Sequence, residues 1–184
     1  DTDTLQMYYL SMEQTPAFVI GNAKTGKTNV IKNMLSMVSG EKVYLFDNKS
    51  HELAAYQSRE NVVYASDKST VADALKQIKE DIFARKEDYE EAKLDDVSLS
   101  IESFAKTLPP IYVMVDMLQE LYDNVAEDNS MIDILEEAVR YGIYVLVTSE
   151  FKVKKMTRSK FIEMLLASRE VLILGNIKDQ LLFS

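Results

Sequence analysis

Gly21-Asn22-Ala23-Lys24-Thr25-Gly26-Lys27-Thr28 fits G-x-x-x-x-G-K-[ST], the pattern of a phosphate-binding P-loop. At average residue usage, chance produces such a match in roughly one chain in a hundred of this length. The flanks agree with the motif. Ala17-Phe18-Val19-Ile20 is a short apolar run suited to a buried strand. After the loop, Val30, Ile31, Met34, Leu35 and Val38 recur at helical spacing. Gly21 and Gly26 let the backbone curl so that its N–H groups point inward. The start of the following helix adds positive partial charge. In this reading Gly21, Asn22, Ala23, Lys24, Thr25, Gly26, Lys27, Thr28 and Asn29 cradle a nucleotide. Lys27 reaches the outer phosphates, and Thr28 offers a hydroxyl to Mg²⁺.

The bulk numbers bound the remaining choices. A length of 184 residues suits a single domain, 1–184. Asp1 is not a native start, so the domain is expected to be excised from a longer multidomain chain, and monomeric by itself. There is no cysteine and one histidine, which excludes a disulfide framework and any thiolate or multi-histidine metal site. The longest apolar runs, such as Ile143 to Val147, are too short to span a bilayer. Acids outnumber bases by 30 to 21, a net charge of −9. A surface that tracks nucleic acid needs clustered cations, so the balance speaks against that partner. Lys152, Lys154, Lys155, Arg158 and Lys160 read as a solvated face, with a local basic patch as the alternative.

Strands and helices alternate along the chain. Tyr8 to Leu10 suit a short edge strand. Lys42 to Phe46, Val62 to Ala65, Ile111 to Val115, Ile143 to Thr148 and Val171 to Leu174 read as strands. Helices are expected after the P-loop as far as Gly40, from about Ser69 to Lys93 with Ser69 or Thr70 as cap, around Ile101 to Lys106, after the capping-box pattern Ser130-x-x-Asp133, and around Ser159 to Ser168. The alternation gives an α/β fold, a mainly parallel sheet with helices on both faces. Ligands then bind at the carboxyl ends of the strands, where the P-loop, Asp47, Asp116 and Ser149 converge. Asp116, closing an apolar strand, is placed to hold the Mg²⁺ water shell. Arg85 falls on the apolar stripe of Val71, Leu75, Ile78, Ile82 and Tyr89. It reads either as an arginine snorkelling off the buried face or as one offered to a neighbouring site.

Several landmarks together resemble the FtsK/SpoIIIE branch of RecA-like P-loop motors. Leu45-Phe46-Asp47-Asn48-Lys49-Ser50-His51-Glu52-Leu53 is similar to its hydrophobic–Asp-Pro-Lys–x–x–Glu-Leu stretch, with Asn48 in place of proline. The long helix ending at Ala84-Arg85-Lys86-Glu87-Asp88-Tyr89 looks like its Glu-x-x-Arg-Arg-Tyr helix. Leu108-Pro109-Pro110 leading to Val113-Met114-Val115-Asp116 matches the run into Walker B. Tyr141 to Ser149 looks like its Gly-Ile-His-hydrophobic-Ala-Thr-Gln strand. Lys160 to Met164 and Leu174 to Gln180 look most like the C-terminal ATPase domain of EssC/YukB-type proteins.

The resemblance implies a RecA-like ATP–Mg²⁺ domain of a type VII secretion coupling protein, at the cytoplasmic face of a membrane that only the full-length chain reaches. It implies sister ATPase domains and exported helical-hairpin proteins as partners, and Arg85 as a possible finger acting in trans. It also exposes two departures. Met117 stands where active members carry a water-activating glutamate, and Ser149 where they carry a glutamine. Glu120, one turn on, would need a different backbone path to substitute, and His51 reads as an exposed loop residue. The expected domain therefore binds nucleotide for substrate docking or regulation and turns it over slowly or not at all. The alternative is an active DNA-translocating motor domain.

Overall fold

The computed structural model describes Met12 and residues 15–125, 129–150, 159–168 and 171–175. Tyr8 to Leu10, Lys152 to Arg158 and Asn176 to Gln180 lie outside them. Six strands form one sheet: β1 (Ala17–Gly21), β2 (Lys42–Phe46), β3 (Val62–Ala65), β4 (Ile111–Val115), β5 (Ile143–Ser149) and β6 (Val171–Leu174). Their order is β3-β2-β4-β5-β1-β6, and every pairing is parallel. Parallel neighbours require crossovers, and helices supply them: α1 (Lys27–Met37), α2 (Lys68–Asp95), α3 (Ile101–Ala105), α4 (Leu118–Asn124), α5 (Ile134–Arg140) and α6 (Lys160–Ala167).

The alternation of side chains along each strand builds two cores. On one face Phe18, Ile20, Phe46, Val113, Val115, Val145 and Val147 pack against α2, α4, α5 and α6 through residues such as Leu75, Ile78, Leu118, Leu135 and Phe161. On the other face Ala17, Val19, Val43, Leu45, Met114 and Leu146 meet Ile31 and Leu35 of α1, together with Leu53. Each fully buried side chain of this size contributes about 1.5–3 kcal/mol. The fold is thus RecA-like α/β with helices on both faces of a parallel sheet.

Three local expectations change. The cap of α2 is Asp67, whose carboxylate accepts from the Ser69 and Thr70 amides while Thr70 reaches back to the Asp67 amide. An aspartate at that position satisfies orphan helix donors that Ser69, already inside the helix, would leave open. Helix α1 stops at Met37, three residues before Gly40. Residues 129–133 form a 3₁₀ turn, and the Asp133 carboxylate accepts from the Ser159 hydroxyl (2.6 Å) and the Phe161 amide (3.2 Å), joining α5 to α6. The sequence sets no bounds for helix α4, because its seven residues supply too few apolar positions to display a period.

Candidate functional site

Strand register brings the site together. Phe46 pairs with Val115, Val115 with Val147, and Val19 with Thr148. The residues just past those positions therefore meet at one rim of the sheet: the P-loop, Asp47-Asn48, Asp116 and Ser149-Glu150. The Asp116 amide donates to the Phe46 carbonyl at 2.8 Å, extending the ladder one step beyond the strands.

The P-loop turns where its glycines permit. Gly26 has φ 96°, a left-handed value that starts α1. At Gly21 a Cβ would strike the Thr25 hydroxyl and would come within 2.7 Å of the Leu174 carbonyl, so the loop closes only on glycine. Lys27 is 6% exposed, and its ammonium donates to the Gly21 and Asn22 carbonyls at 2.9 and 2.8 Å. Burial lowers its pKa, opposed by the charges of Glu150 and Asp116. Its contacts lie within the loop's own backbone, at the position from which a lysine swings onto a phosphate.

Asp116 is 2% exposed and fully partnered. Thr28 and Asn48 donate to its Oδ2 at 2.9 and 2.7 Å, and Thr148 donates to its Oδ1 at 2.9 Å. Burial raises its pKa, and the Thr148 and Thr28 hydroxyls pull it back. A hydroxyl and a carboxylate in contact are the oxygen donors a hard cation prefers. Among the described residues no three acidic or imidazole groups form a metal cage, so Mg²⁺ held here would complete its shell with water and phosphate. When bound, it would neutralise charge on the phosphates; Thr28 and Asp116 are the residues that would hold it.

A cavity of about 300 Å³ covers this rim, lined by Ala23, Lys24, Gly26, Lys27, Thr28 and Asn29 from the loop and helix. Asn48, Glu52, Met117 and Glu150 complete the lining. Met117 faces it from a left-handed backbone, φ 71°, with its N–H on the Thr148 hydroxyl (2.9 Å). Glu120 is engaged elsewhere, accepting from the Lys49 amide at 2.6 Å. Asp47 holds its own loop, accepting from the Leu53 amide (3.0 Å) and the Tyr64 hydroxyl (2.7 Å). Ser149 donates to the Glu150 carbonyl at 3.0 Å. His51 is exposed. Sequence reasoning missed Glu150, Thr148 and the Asn48 contact. The position of Glu150, one residue past the strand-five end, was the available signal.

Arg85 is placed differently from both expectations. It is 6% exposed, neither snorkelling nor facing outward. Its guanidinium donates to the Tyr141 carbonyl (2.8 Å) and the Pro109 carbonyl (2.6 Å), just before β5 and β4 begin. That is the end of the sheet opposite the P-loop. Two carbonyls that lie just outside the strands converge there, and a forked donor reaches both. A second cavity, about 200 Å³ and lined by Met12, Ala105, Val139, Gly142, Tyr144 and Met164 among others, also lies towards that end. It adjoins none of the P-loop groups.

No family model matches the chain. An ESX secretion system protein, EccC of Geobacillus thermodenitrificans, is 25% identical over 156 residues, 80% of this chain and 10% of the relative. The chain thus spans about a tenth of that protein's length. Among solved structures, ATPases 2 and 3 of EssC from Geobacillus thermodenitrificans superpose with a TM-score of 0.74 at 21% identity, over 94% of this chain and 32% of that one. Thermomonospora curvata EccC (ATPases 2 and 3), in complex with a signal sequence peptide, gives 0.67 at 18% identity, over 97% of this chain and 33% of that one. A conjugation coupling protein, TcpA with ATPγS, gives 0.56 at 15% identity, over 75% of this chain and 43% of that one. In sequence and in fold the chain resembles the FtsK/SpoIIIE-type P-loop ATPase domains of EssC/EccC coupling proteins.

Proposed function

We propose that the chain is a nucleotide-binding domain of a type VII secretion coupling ATPase, one that binds ATP–Mg²⁺ and turns it over slowly or not at all. The observation that carries the reading is the Thr28 hydroxyl on the Asp116 carboxylate at 2.9 Å, beside the buried Lys27 ammonium. Slow turnover is supported by Met117 in the water-activating position and by Glu120 bound to the Lys49 amide. Positioned carboxylate bases contribute about 10²–10⁴-fold, so their loss leaves binding ahead of chemistry. The proposed role is docking or regulation during protein export. The proposed partners are sister ATPase domains and helical-hairpin substrates carrying a C-terminal signal. The relative solved with a signal sequence peptide supports that choice. Membrane attachment would come through the full-length chain, since no described helix is long and apolar enough to cross a bilayer. The test is calorimetric titration of ATP with and without Mg²⁺. Lys27→Ala removes the phosphate-facing cation and should weaken ATP binding at least about tenfold, or 1.4 kcal/mol, with the fold unchanged. Equal affinity in the two proteins would overturn the reading.

A further inference from the structure

Asn48 stands 68 residues from Asp116 in sequence and 2.7 Å from it in the fold. Its side chain is oriented without ambiguity. The Ser50 amide donates to Asn48 Oδ1 at 2.7 Å, and the Ser50 hydroxyl lies on the same oxygen. A backbone N–H can only donate, so Oδ1 faces Ser50 and the NH₂ faces Asp116. The residue is 9% exposed, so its bond to Asp116 is largely shielded from bulk water. Its own amide is fixed on Asp47 Oδ1 at 2.8 Å.

We propose that Asn48 is a positioning residue for the metal-holding carboxylate. Resting on the Mg²⁺–nucleotide reading above, the proposal assigns it the task of holding Asp116 Oδ2 where the Thr28 hydroxyl can reach it. Thr28 can donate its proton to Asp116 and still present a lone pair to a cation. It does both only while the carboxylate stays in the plane that Asn48 fixes from one side and Thr148 from the other. Without Asn48, Oδ2 keeps Thr28 as its donor but loses the second anchor. The carboxylate can then rotate, and ordering it must be done when the cation binds.

The test compares ATP affinity in excess Mg²⁺ and in EDTA for the wild type, Asn48→Ala, Asn48→Leu and Glu120→Ala. Asn48→Leu keeps the bulk of the side chain should the alanine variant fail to fold. Glu120→Ala frees the Lys49 amide, loosening the same loop without touching the Asn48–Asp116 bond. The expected result is a roughly tenfold fall in Mg²⁺–ATP affinity for the Asn48 variants, with metal-free affinity unchanged. Glu120→Ala should leave the ratio of the two affinities as in the wild type. A ratio unchanged in the Asn48 variants, or lowered equally by Glu120→Ala, overturns the assignment and leaves nucleotide binding standing. A wild type that binds no ATP overturns both.

Discussion

Met117 takes a backbone conformation that a non-glycine residue adopts at a cost of about 1–3 kcal/mol. The Thr148 hydroxyl enforces it, accepting from the Met117 amide while donating to Asp116. The conformation turns residue 117 towards the cavity, where a carboxylate could hold water. Met117→Glu should therefore raise single-turnover hydrolysis at least about tenfold, a cautious share of what a general base supplies. An unchanged rate would shift attention to Glu150, a carboxylate already lining that cavity. The P-loop was legible because its chemistry lies in eight consecutive residues. Thr148 and Asn48 were not, since each meets Asp116 through strand register, 32 and 68 residues away. No local pattern carries that information.

Helix α2 runs 28 residues, about 42 Å, along one face of the sheet. Its stripe was readable at period 3.6, Arg85 included. The depth of Arg85 was not, because the carbonyls that hold it belong to loops 24 and 56 residues further on. Arg85→Ala would leave both carbonyls without that donor and remove a packed aliphatic stem. A loss of at least about 2 kcal/mol is expected, since each of the two orphaned carbonyls costs about 1–3. For a chain of this size that lowers Tm by at least about 4 °C. Differential scanning calorimetry would register the shift. Arg85→Lys should recover part of it, as an ammonium lacks the planar fork that spans two acceptors. ATP affinity of the same variants should stay at the wild-type value, because the tie lies at the far end of the strands. A melting temperature unmoved by alanine would deny Arg85 its structural role.

At the scale of the molecule, the strand order separates what the sequence places first from what the sheet completes first. Strands β2 and β3 pair with each other and need only β4 beyond them. Strand β1 has as its neighbours β5 and β6. During synthesis the P-loop therefore leaves the ribosome before either neighbour of β1 and waits. Its first partner is complete only when residue 149 has been added. At 5–20 residues per second that interval is on the order of ten seconds, in which a nascent chain carries the nucleotide motif without the nucleotide site. The rim that carries the P-loop thus forms only after α2 and its loops have emerged. A chain ending at Tyr141 should show no ATP-dependent protection from protease, while the whole chain shows it. Protection at the shorter length would mean that the loop takes its shape before the sheet closes around it.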